Sequence, residues 1–189
     1  DFPNVAVVVA DVENLKRNLL LFTQVKDLGI PTLLLINMSD HRKRKGITIY
    51  IPMLEDKLNT RIALVSIREN KGLDLLKELL INYRELSVKP TIKFEDIDQH
   101  YFDHLKNTFP DQQLYKLWLL ITQDINFAKI ERKKIIDSID FKTQSERNLK
   151  KLQQKETVKR YQFINNILKN TLVIDKESAT DFRSKLDRI

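Results

Sequence analysis

The chain has 189 residues, 33 Lys+Arg against 26 Asp+Glu, 42% hydrophobic residues and no cysteine. That fits one large domain or two small ones with a packed core, and it excludes wholesale disorder. Zero cysteine excludes a disulfide scaffold, a thiol nucleophile and a Cys-based zinc or iron–sulfur centre, while three His and three Gly leave little for a His-rich metal site or a glycine-rich phosphate loop. The net charge of +7 suits an anionic partner. It is spread as +3 over residues 1–89 and +4 over 90–189, as a solubility charge would be. The longest apolar runs, Val5–Ala10 and Leu33–Ile36, fall far short of the ~18 residues needed to span a bilayer. The expectation is a soluble, intracellular chain. It opens on Asp1 and enters an apolar strand almost at once, as an excised piece of a longer protein would.

Asn4–Ala10 is a β-branched run of buried-strand type. Asn14–Leu28 places Leu15, Leu19, Phe22, Val25 and Leu28 on one helical face; Gly29 ends that helix and Pro31 blocks its continuation. Thr32–Asn37 is a second buried strand, and Ile51–Leu58 a short helix with Pro52 in its first turn. Arg61–Ser66 is a third strand, and Gly72–Tyr83 an amphipathic helix. This alternation predicts an α/β part with a three-stranded parallel sheet and right-handed crossovers. Leu86–Pro90 marks a boundary. Beyond it, helical patterns cover about 94–107, 111–125, 129–138 and 142–170, with a short one at 177–189 and a weak strand signal at Leu172–Ile174. The predicted fold class is α/β followed by an α-helical bundle. In the long helix, Val158, Tyr161, Ile164 and Leu168 are expected on the buried side.

Asn37-Met38-Ser39-Asp40 stands at the C-terminal end of the second strand, the edge at which open parallel sheets bind ligands. A carboxylate there accepts two hydrogen bonds, from guanine N1–H and the 2-amino group. Adenine would leave it under-satisfied, at a cost of about 1–3 kcal/mol. Taken alone, this spacing is more simply a polar loop. The third strand ends in Ser66-Ile67-Arg68, with Gly72 soon after. GTPases commonly read guanine O6 there with the backbone N–H of a Ser-Ala pair. Ile67 in place of Ala keeps a backbone donor. The basic run His41–Lys45 suits phosphate or a membrane leaflet, and reads more simply as a solvated loop. His100 and His104, at i and i+4, have metal-ligand spacing but read as an exposed helix face. Trp118, with Leu114, Leu117 and Ile121, reads as bundle core.

Asp11–Leu19 (DVENLKRNL) resembles the D-x-x-N-L-x-R-N-L segment of the ferrous iron transport protein B family, and Gln24–Pro31 resembles the segment that follows it. The family replaces the Lys of the usual N-K-x-D motif by Met, as Met38 does here. Gly46–Ile49, Gly72-Leu73, Glu156–Ile164 and Lys185–Ile189 resemble later segments of the same family, the last preceding its first membrane helix. The sequence contains no G-x-x-x-x-G-K phosphate loop.

The resemblance implies the C-terminal part of a G domain over residues 1–85 and a helical domain, coupling nucleotide state to the membrane part and favouring GDP retention, over 86–189. It implies that Asn37, Met38, Asp40, Ser66, Ile67 and Arg68 read guanine, with GTP or GDP and Mg2+ bound in the intact protein and none expected on this piece. The expected setting is the cytoplasmic face of a bacterial inner membrane, with GTP hydrolysis regulating Fe2+ uptake and this piece inactive by itself. The expected partners are guanine nucleotide and the membrane-embedded part of the same chain, without nucleic acid. The first strand, stripped of its neighbour, is expected either to self-associate or to be covered by a rearranged helix. The rival reading is a stand-alone module that binds protein or nucleic acid through a basic face.

Overall fold

The computed structural model describes residues 3–37, 46–123 and 132–174. They run as β1 (Ala6–Asp11), α1 (Leu15–Asp27), β2 (Thr32–Asn37), β3 (Ile47–Ile49), α2 (Ile51–Leu58), β4 (Ile62–Leu64), α3 (Leu73–Ile81), α4 (Glu95–Thr108), α5 (Leu114–Thr122), α6 (Arg132–Ile136), α7 (Glu146–Thr171) and β5 (Leu172–Ile174). A 3-10 turn at Tyr83–Glu85 leads out of α3. Met38, Asp40, the His41–Lys45 run and the predicted helix at 177–189 lie outside the described residues.

β1, β2 and β4 form the expected parallel sheet in the order β1-β2-β4. The β2 sequence is apolar throughout because both its faces are covered. Leu34 and Ile36 meet Val8, Ala10, Leu15, Leu19 and Phe22 on one side. Leu33 and Leu35 meet Ala63, Val65 and Leu79 on the other. α1 ends at Gly29, whose φ of 75° places it in the left-handed region and whose N–H donates to Lys26 O at 3.0 Å. The third strand is shorter than expected: β4 stops at Leu64, and Ser66 enters a turn with Lys71. Two antiparallel segments, β3 and β5, make a second small sheet with Ile47 opposite Ile174. The weak strand signal at Leu172–Ile174 therefore has a partner 125 residues earlier in sequence, at a segment the periodicity did not mark as a strand.

Beyond Pro90 the helices gather around Trp118, which is 1% exposed and lies edge-on to Tyr101 and Phe102. The stretch expected as one helix at 94–107 is broken at Asp98, whose backbone is extended (φ −159°, ψ 97°). Its Oδ1 accepts the Tyr101 N–H at 3.0 Å, capping the helix that restarts there.

The long helix departs from its expected buried face. Val158 is 54% exposed, and Tyr161 and Leu168 are half-buried. The buried row is Leu152, Glu156, Arg160, Ile164, Ile167 and Thr171. Of the four expected positions only Ile164 is fully buried, and it joins the cluster of β1 and α1, not the Trp118 cluster. α7 thus crosses from one half to the other, with Phe163 touching both clusters.

β1 pairs only with β2 among the described strands. Val7 and Val9, 38% and 57% exposed, point away from the α1 side. α3 covers β2 and β4 on that face but does not reach them. No described helix covers the Val7 and Val9 face of that strand, so the expected rearranged cover is not found among the described residues.

Candidate functional site

The C-terminal ends of the three parallel strands form one edge. Asp11 stands beside Asn37 in register, and the Val65 N–H donates to Ile36 O at 2.9 Å. Ser66 therefore follows Asn37 along that edge. Asp11 is committed to the local turn: its carboxylate accepts the Glu13 N–H at 3.0 Å and the Asn14 side-chain amide at 2.9 Å. This shapes the entry to α1 and leaves the rest of the edge to Asn37 and the segment after β4.

That segment is a tight, internally bonded turn. Ser66 and Lys71 exchange backbone hydrogen bonds at 3.1 and 3.0 Å, and the buried Ser66 Oγ accepts the Glu69 N–H at 3.3 Å. Gly72 closes the turn at φ 79°, where a Cβ would lie 2.2 Å from Leu64 O, so only glycine lets α3 start this close to β4. Ile67 is 65% exposed, and the N–H groups of Ile67 and Arg68 have no acceptor among the described residues. The edge thus brings together Asn37, Ser66, Ile67 and Arg68, the last two with backbone donors that no described residue accepts. Met38 and Asp40 lie outside the described residues. His100 and His104 are both exposed, and no described group of three or more His, Asp or Glu could hold a metal ion.

At the far end of α1 lies a buried polar joint that the sequence reading missed. Asp27, 3% exposed, accepts Arg160 Nη1–H at 2.7 Å through one oxygen and the Thr91 N–H and hydroxyl through the other. Arg160 Nε–H donates to Glu156 Oε1 at 2.8 Å, and Glu156 Oε2 accepts the Trp118 indole N–H at 2.6 Å. The guanidinium also stacks 4.8 Å over the Tyr115 ring. Burial works against its charge, but Asp27, then Tyr115 and Glu156, outweigh it and hold the Arg160 pKa above its ordinary value. Next to Asp27, Lys26 is fully buried and donates to Asn59 O at 2.8 Å and Ser87 O at 2.6 Å. Burial lowers its pKa to about 8, with Asp27 opposing.

One signal could have found the joint. Asp27 ends a helix whose C-terminus carries negative partial charge, so an acid there is locally unfavourable and needs a cationic partner from elsewhere. The partner is harder to see: Glu156 and Arg160 stand at i,i+4, the spacing of an ordinary surface pair.

The fold defines a class: part of a GTPase-like α/β domain joined to a helical unit. By sequence, residues 1–80 match the family described as ferrous iron transport protein B. The chain's likeness to the Fe(2+) transporter FeoB of Leptospira biflexa is 36% identity over 76 residues, covering 40% of this chain and 11% of that protein. To the Escherichia coli Fe(2+) transporter FeoB it is 39% over 77 residues, covering 40% and 10%. The chain thus matches about a tenth of the length of these relatives. In fold the likeness extends further. The cytosolic domain of T. maritima FeoB in its apo form superposes with a TM-score of 0.77 at 17% identity, covering 91% of this chain and 69% of that one. The cytosolic domain of L. pneumophila FeoB gives 0.66 at 21%, covering 92% and 67%. Forms of the T. maritima domain with GDP and with GMPPNP superpose equally well, at 0.77 and 18%.

Proposed function

We propose that this chain is the guanine-reading edge and helical unit of the cytoplasmic part of a ferrous iron transporter, in which GTP binding and hydrolysis regulate Fe2+ passage. The observation that carries the reading is the coincidence of the family match with the sheet edge: residues 1–80 include Asn37 and Ser66–Arg68, which the strands bring side by side. In this reading Asp40 takes guanine N1–H and the 2-amino group, and Asn37 steadies the loop. Met38 stands where most GTPases carry Lys, and Ile67 or Arg68 offers its backbone N–H to guanine O6. Residues 86–189 are the helical domain that carries nucleotide state toward the membrane part. These 189 residues contain no G-x-x-x-x-G-K, the loop that would cradle the GTP phosphates. No hydrolytic step is assigned to them.

The test is base selectivity. The 189-residue chain alone is expected to bind GDP very weakly in calorimetry. In the full-length transporter, Asp40→Asn should weaken GTP and shift preference toward xanthosine triphosphate, whose 2-oxo group accepts from an amide. Unchanged affinity and selectivity would remove Asp40 from the base site.

A further inference from the structure

The net charge divides evenly between the halves of the sequence, yet the fold concentrates it. From Glu146 to Gln162, α7 carries six cations and two acids. Glu156 and Arg160 turn inward and neutralise each other in the joint. What remains on the outside is Arg147, Lys150, Lys151, Lys155 and Lys159, all exposed, against Glu146 alone. None of these five has an ion-pair partner among the described residues. Lys151, Lys155 and Lys159 recur every four residues and form one ridge, and the cations from Arg147 to Lys159 span about 18 Å of helix. The ridge borders an open groove with Val158, Gln154 and Gln162, closed on the α4 side by Ile97 and the single acid Asp96.

We propose that this face of α7 is a docking surface for an anionic phospholipid membrane, adsorbing by charge without insertion. The assignment stands on the helix surface and not on the nucleotide reading. A protein partner would need apolar or aromatic anchors at the centre of the contact. Val158 is the one large apolar side chain exposed on this stretch of α7. Single-stranded nucleic acid would be held by aromatic stacking. Here the nearby rings are withheld: Tyr161 is half-buried with Lys16 over it, and Phe163 packs into the core. A headgroup layer asks for neither. It supplies negative charge that rearranges beneath a row of lysines, whose long stems let the ammonium groups reach outward.

The test is co-sedimentation of the 189-residue chain with vesicles at about 100 mM salt. It should bind vesicles containing phosphatidylglycerol, ignore pure phosphatidylcholine, and be released as salt rises. Lys151→Gln/Lys155→Gln/Lys159→Gln should weaken binding on the order of 100-fold, with circular dichroism and thermal midpoint unchanged because all three are surface positions. A control removes the most basic run in the sequence, Arg42→Gln/Lys43→Gln/Arg44→Gln/Lys45→Gln, and should retain most of the binding. Full binding by the α7 variant, loss confined to the loop variant, or binding to single-stranded RNA or polyglutamate with vesicles ignored would each overturn the proposal.

Discussion

Arg160 is fully buried between two carboxylates that come from different parts of the chain, and the energetics of that arrangement are asymmetric. A buried ion pair adds little over a well-packed apolar replacement, but removing one partner strands the other charge and costs about 3–5 kcal/mol. Asp27→Asn should therefore destabilise the chain by about 3 kcal/mol. In an Arg160→Met background the same change should cost much less, with a coupling of about 1–3 kcal/mol by denaturant unfolding. Trp118, the only tryptophan, reports on the same network through its bond to Glu156, so its emission should shift in Asp27→Asn before unfolding begins. Additive costs and unchanged emission would mean that the joint is not coupled. The neighbouring Lys26 makes a pH prediction. Its pKa of about 8 when folded lies below the ordinary 10.5, so between these values the unfolded chain holds the extra proton. Stability then rises with pH. The gain from about pH 7.5 to about 9.5 should be on the order of 1–2 kcal/mol and should shrink in Lys26→Met, which leaves only the smaller contribution of Lys116, whose pKa burial also lowers. The range stops there because burial raises the pKa of Tyr101 and Tyr115, which reverses the sign above about pH 10. Equal pH profiles for the two proteins would contradict this account of Lys26.

At the scale of elements, what the sequence showed depended on what each element packs against. β2 and α2 were legible to the residue because their own residues mark them: Pro52 sits in the first turn of α2, and β2 is apolar on both faces. α7 was legible as a helix but not in its orientation. Apolar periodicity pointed to Val158 and Tyr161, whereas the buried face is set by Glu156 and Arg160, whose partners lie on α1 and α5. No local pattern encodes a charge that is buried because another half of the molecule neutralises it. The strand pairing of β3 with β5 was hidden for the same reason, since each segment has only three residues and its partner is remote. Of the candidate edge, Asn37 and Ser66 were legible from strand ends, but the N–H groups of Ile67 and Arg68, which no described residue accepts, depend on the turn that Gly72 closes. The corrected packing also redirects one expectation. Read from sequence, Ile164→Asp would unfold the bundle and spare the α/β half. Ile164 lies instead against Val8, Leu15, Leu19 and Phe22. Burying a carboxylate there should remove hydrogen-exchange protection from β1 and α1 first. Loss confined to α4 and α5 would contradict that packing.

At the scale of the molecule, the cluster of β1 and α1 and the cluster around Trp118 are linked by one long helix and one buried charge chain. The two share α7, so the halves should unfold together rather than in sequence. Among the described residues one side of β1 has no strand beside it. Val7 and Val9 are exposed there, and such edges template pairing with other chains. We expect the 189-residue chain to self-associate through β1, with apparent mass in light scattering falling on dilution and Val9→Lys abolishing the effect. A constant monomer mass would remove that expectation. The larger claim is that the sheet edge of this chain reads guanine for an iron transporter. Its most direct measurement is Fe2+ uptake into vesicles carrying the full-length transporter, with GTP or xanthosine triphosphate supplied on the nucleotide-binding side. The account predicts that the native protein responds to GTP, and that Asp40→Asn loses this response and gains one to xanthosine triphosphate. Uptake by the variant that still follows GTP, or uptake by the native protein that ignores both nucleotides, would contradict it.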